Sequence, residues 1–286
     1  MTTELFQQIE SGGGTVDLSN RAKFRLTGND RVRYLNGQVT NDVRTARPDE
    51  SLYACVTDLK GRIMGDIQIH ADSDGLILDA EPDLRDTLGP RLERYIIADD
   101  AELTDITEEW QLWHVFGPSL PHGIEGSIQV KSNRLGTPGI DLWLPASSPQ
   151  PELHHPVLSA ADYETYRILR CIPRCPNELN SDTFPPEAGI EATAMSYTKG
   201  CYIGQEVLSR IRTTGKMPRT LIRWTSDQPV APGDQIVSDG KPVGLITSAA
   251  IHPMSRQFAG LAFVKQGTPA GLHTSSGAAL ITAVSV

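Results

Sequence analysis

The densest run of residues able to do chemistry lies at 196–223, SYTKGCYIGQEVLSRIRTTGKMPRTLIR. Lys199, Arg210, Arg212, Lys216, Arg219 and Arg223 face a single acid there, Glu206, in a chain whose net charge is -9. So local an excess of donors suits a polyanion: a polycarboxylate tail, a phosphate or RNA. The same composition also describes a solvated basic helix face. Cys201 lies between Gly200 and the start of a helix, beside Lys199. Positive potential from both would favour its thiolate. A reactive or ligating thiol and a small buried side chain are both open readings. Gly200 and Gly204 permit a close backbone approach or a tight turn. Gln205 and Glu206 are placed to hydrogen-bond a ligand or to cap the helix.

Elsewhere the chemistry is sparser. Cys171 and Cys175 form C-x3-C, with His154 and His155 the nearest further ligands. A zinc site wants four ligands, so packed thiols without metal are expected. No glycine-rich nucleotide loop, nucleophile elbow or H-E-x-x-H pattern is present. Four cysteines in 286 residues do not make a disulfide scaffold, and free thiols in a reducing cytoplasm are expected. The N-terminus lacks a basic, apolar secretory leader, and no stretch of about 18 apolar residues spans a bilayer. An acidic surface argues against non-specific binding to DNA or anionic membrane.

The elements that must position these residues follow from periodicity. Residues 1–20, with Ser11-Gly12-Gly13-Gly14, read as a flexible loop and a polar approach to a strand at Phe24–Thr27. Asp30 reads as the N-cap of a short helix carrying Val32, Leu35 and Val39. Strands 51–57 and 62–70 form a hairpin across Asp58-Leu59-Lys60-Gly61. Ile63, Ile67 and Ile69 alternate there with Met64, Gln68 and His70, interrupted at Gly65-Asp66. A strand follows at 76–80, then a helix over 83–96 that Gly89-Pro90 should kink or split. Six acids within 99–109 suggest a solvated face. Strands at 111–117, 127–131 and 139–144, a Pro-rich connection at 145–156 and a helix over 160–170 come next. After Arg219 only short strands and turns remain, which predicts a small β-barrel.

Lys199 to Glu206 match K-G-C-Y-x-G-Q-E, and with this motif the chain resembles the YgfZ-like, folate-binding branch of the glycine-cleavage T-protein superfamily. The resemblance extends along the chain. It includes Thr27-Gly28-Asn29-Asp30-Arg31, Leu35 to Val43 (LNGQVTNDV), Lys60-Gly61-Arg62-Ile63, Tyr166-Arg167-Ile168 with Ile172-Pro173, and Phe184 to Gly189.

The resemblance implies an α+β fold of three subdomains in a ring around a central channel. Residues 1–215 would form two intertwined α+β subdomains and 216–286 the barrel. It implies tetrahydrofolate or a one-carbon derivative as cofactor, bound by Asp66, Tyr163, Tyr197, Lys199, Gln205, Glu206 and Arg210. Cys201 would be the key side chain, with Asp66 as a second catalytic candidate. The implied role is that of a monomeric, cytoplasmic accessory protein for client iron–sulfur enzymes, with weak tRNA contact and no membrane contact. An aminomethyl- or methyl-transferase and a non-catalytic RNA- or protein-binding scaffold are the alternatives. Two departures bear on catalysis: catalytic T-proteins carry two adjacent acids where this chain has Gly65-Asp66, and a pterin-gripping Glu where Leu169 stands.

Overall fold

The computed structural model describes residues 1–120, 124–269 and 271–283. Three sheets organise the chain. The first is antiparallel, in the order Leu52–Thr57, Ile63–Ala71, Leu76–Ala80, Ala22–Thr27 and Glu102–Asp105. Its hairpin turn holds because Asp58 Oδ1 accepts from the amides of Lys60 and Arg62, both at 2.8 Å, while Gly61 adopts φ 77°. The alternation read from the sequence sets the faces. Ile63, Ile67 and Ile69 are buried in the main apolar core with Phe24, Leu35 and Leu78, so the intervening residues look the other way.

The second sheet runs Val157–Leu158, Gly14–Asp17, Trp110–Phe116, Gly139–Pro145 and Ile128–Ser132. Its first pair is parallel and the rest antiparallel. The N-terminal chain gives one strand to this sheet and the next to the first, so the two α+β units are interlaced. The third sheet holds His273–Thr274, Gln235–Ser238, Lys241–Ile251, Phe258–Lys265, Arg219–Ser226 and Ile281–Ala283 around fully buried Trp224. Among the described residues its outer strands do not pair with each other, so no closed barrel is formed among them.

Other expectations need correction. Thr3–Gly12 is a helix, not a loop. Thr2 caps it through Leu5 N, and the glycine run only terminates it, Gly13 taking φ 91°. Gly14–Asp17 is already a strand. The helix Arg85–Glu93 continues through Pro90 rather than splitting there. Asp30 precedes the helix Arg31–Gln38 without capping it; its carboxylate accepts instead from Asp100 N and Arg33. The acidic run supplies an edge strand, Glu102–Asp105, where charge discourages pairing with another chain.

Candidate functional site

Asp66 and Gln68 occupy the strand positions opposite the isoleucine core and face a cavity of about 410 Å³. Tyr53, cross-strand to Gln68, shares that face. The helix Ala160–Leu169 forms another wall, with Tyr163 and Arg167 one turn apart. The loop Cys171–Arg174 follows it around the cavity.

Asp66 is the polar centre of this space. It is 9% exposed, and its Oδ2 accepts from Tyr53 Oη at 3.1 Å, while Oδ1 has no partner. Burial, reinforced by the charge of Glu81, pushes its carboxyl up to about 6. Burial and the adjacent Asp66 together raise the Tyr53 phenol well above its ordinary range.

A chain of buried charges runs beside the cavity. His114 Nδ1 meets Asp141 at 2.8 Å, and Arg134 bridges Asp141 at 2.8 Å and Asp79 at 2.7 Å. Arg21 joins Asp79 to Glu81, and Arg174 joins Glu81 at 2.7 Å to Glu164 at 3.2 Å. Arg167 pairs with Glu164 and with Glu178 at 3.1 Å, and Glu178 accepts from Ser248 Oγ. The chain thus passes from the second sheet through the first to the third. Burial alone would raise Asp79 and Asp141, but their arginine partners, with His114 at Asp141, hold both carboxyls below the usual range.

The cavity gathers Asp66 and Tyr163, but none of residues 196–206 lines it. Cys201 is exposed, and the helix begins only at Gln205, after Gly204 at φ 89°. The thiol therefore stands outside the first helical turn, contrary to the expected placement. Lys199 points away from it and is buried, its Nζ donating to the carbonyls of Asn36, Val39 and Asn41 at 2.6, 2.7 and 2.6 Å. Burial lowers its ammonium to about 7. The three carbonyls match the three N–H donors of the charged form. Lys199 thus bolts the motif to the LNGQVTND stretch. Gly204 abuts the hairpin turn; a Cβ there would lie 2.7 Å from Asp58 O and 2.9 Å from Gly61 Cα.

The remaining candidates are surface or packing groups. Tyr197 donates to Glu191 at 2.6 Å beneath the Arg212 guanidinium. Exposed Arg210 pairs with Glu206 at 3.1 Å, and Gln205 opens the helix. Arg219 contacts Glu187 and Thr183, and Arg223 contacts Cys171. Most of the basic excess therefore has a partner within the fold. A second acid at Gly65 would have to displace Leu84, since its Cβ would lie 2.8 Å from Leu84 Cδ1. Leu169 does not line the cavity. All four cysteines are free thiols, and no cluster able to hold a metal occurs among the described residues.

Sequence reasoning missed Tyr53, although hairpin alternation places it on the face of Asp66 and Gln68. It also missed Arg21, Glu81, Arg134 and Arg174, which come from separate segments and carry no local signal.

Residues 2–125 match the GCVT N-terminal domain. The whole architecture superposes on aminomethyltransferase T of the glycine cleavage system from Bartonella henselae. The TM-score is 0.86 at 14% identity, over 99% of this chain and 88% of that one. The N-terminal part thus carries the GCVT N-terminal domain, and the chain as a whole shares the T-protein fold. Its relatives carry different activities in their names. It is 23% identical to an aminomethyltransferase of Rubrobacter xylanophilus, over 93% of this chain and 80% of that protein. It is 26% identical to the tRNA-modifying protein YgfZ of Vibrio vulnificus, over 75% and 71%. It is also 26% identical to the mitochondrial iron–sulfur cluster assembly factor IBA57 homolog of Chaetomium globosum, over 73% of this chain and 55% of that longer protein. Among the described residues of this T-protein relative, no helix is long and apolar enough to cross a membrane.

Proposed function

We propose that the chain is a folate-dependent accessory protein for iron–sulfur enzymes, acting on tRNA modification through such a client. Tetrahydrofolate or a one-carbon derivative would occupy the cavity beside Asp66. The observation that carries this reading is the unpartnered Asp66 Oδ1, a buried acceptor facing a ligand-sized space. The amino and ring N–H groups of a pterin need such an acceptor, and a buried carboxylate gains most when both its oxygens are used. Tyr163 offers a ring face for stacking. The names of the YgfZ and IBA57 relatives support the client class.

In this reading the motif works at the surface. Cys201 is the thiol a client can reach, and Lys199 anchors its loop, while Tyr197, Gln205, Glu206 and Arg210 flank it. The aminomethyltransferase alternative is disfavoured by Gly65, which cannot regain an acid without displacing Leu84, and by the absence of Leu169 from the cavity. The RNA-scaffold alternative is weakened by the internal partners of Lys199, Arg219 and Arg223.

Complementation tests the role. In cells lacking the protein, Cys201→Ser and Cys201→Ala should fold with unchanged thermal midpoints yet leave the client iron–sulfur enzyme inactive. Full client activity with a stable Cys201→Ala chain would remove Cys201 from the function.

A further inference from the structure

The cavity contains a second thiol that the motif does not announce. Cys171 lines it, on the loop after the helix Ala160–Leu169. It is one of only three non-glycine residues with positive φ among those described, at 61°. A side chain in that conformation is strained where glycine would not be. Strain of this kind at a cavity wall points to use of the side chain. Its sulfur is engaged on both sides: Arg223 Nη1, reaching back from the third sheet, donates to Sγ at 3.7 Å, and the thiol faces the Leu169 carbonyl at 4.0 Å. The guanidinium contact fixes the sulfur at the cavity wall. Independently, Asp66 directs an unpartnered, nine-tenths-buried oxygen into the same space, which marks it as built for a ligand.

We propose that Cys171 is a covalent acceptor inside the cavity for a small carbonyl electrophile at the aldehyde level, with Arg223 positioning its sulfur at the cavity wall. The sulfur lone pair forms the C–S bond, the carbonyl π pair moves to oxygen, and that oxygen takes a proton from solvent. The net change is addition of S–H across C=O, with nothing oxidised or reduced. This site is separate from exposed Cys201. It rests on the folate reading only for the source of such a carbon, since one-carbon carriers deliver carbon at this oxidation level.

Iodoacetamide labelling of the full chain, mapped by peptide mass spectrometry in a Cys201→Ser background, tests the proposal. Labelling of Cys171 should be slowed by formaldehyde and restored when the aldehyde is diluted away. Arg223→Gln, which removes the contact that positions the sulfur, should lower the labelling rate about fivefold. Cys171→Gly should raise the thermal midpoint by about 2 °C as the backbone strain is relieved. A Cys171 inert in the folded chain, or labelled at a rate indifferent to formaldehyde and to Arg223→Gln, overturns the inference. Failure of tetrahydrofolate to protect Cys171, with the formaldehyde and Arg223 effects intact, would remove the folate reading and leave this site standing. Folate binding alongside an inert Cys171 would do the reverse.

Discussion

At the scale of the residue, Asp66 is held against its own preference. Its carboxyl is raised to about 6 in the folded chain and has an ordinary value of 3.8. Between those values the folded chain therefore binds more protons than the unfolded one, and stability falls as pH rises through that window. The cost is fully present above pH 6 and vanishes below 3.8. Asp66→Asn should accordingly stabilise the ligand-free chain at pH 7.5, by on the order of 2 kcal/mol, and by almost nothing at pH 3.5. Thermal melts of both chains across this range check the prediction; a parallel pair of curves would contradict it. Gain of stability on removing a polar group is the mark of a residue kept for binding rather than folding.

At the scale of the element, the motif 199–206 acts as a rivet. Lys199→Met should leave three carbonyls without a donor and destabilise the fold by about 3 kcal/mol in denaturant titration. The two motif glycines should behave differently. Gly204→Ala would push a Cβ into the hairpin turn at positive φ and should destabilise by more than about 1 kcal/mol. Gly200 has nothing within 4 Å of an added Cβ, and Gly200→Ala should be neutral. Equal effects from the two would contradict this account. Much of this scale was legible in the sequence. Isoleucine alternation set the core face of the hairpin, which Asp58 and Gly61 announced, whereas Asp66 came from the family resemblance. The N-terminal helix was hidden by the glycines that end it. The motif helix was placed too early because Gly204 turns the chain before the first helical residue. A linked misreading followed: Lys199 was expected beside the Cys201 thiol, whereas its carbonyl partners lie in a segment some 160 positions away.

At the scale of the whole molecule, the three sheets share one buried charge chain that ends at Ser248. Arg167 is its junction with the third sheet, nearly inaccessible and bonded to Glu164, Glu178 and Ser248. Arg167→Ala leaves Glu178 buried without its cation and should destabilise by about 3 to 5 kcal/mol. Because the chain couples the sheets, wild type should unfold in a single transition, and Arg167→Ala should let the third sheet melt first. Calorimetry showing two transitions already in wild type would argue that the sheets are independent. No sequence window reveals this network, since its members lie on strands, a helix and loops from residue 21 to 248. The T-protein resemblance supplied the architecture, whereas the local pattern supplied only its strands.

The central claim is that Asp66 makes this cavity a folate site, and a calorimetric titration of tetrahydrofolate into the full chain at pH 7.5, beside Asp66→Asn, tests it most directly. Loss of the charged acceptor should weaken binding about tenfold or more in a variant that folds at least as well as wild type. Equal affinity in the two chains, or no binding to wild type, would contradict the account.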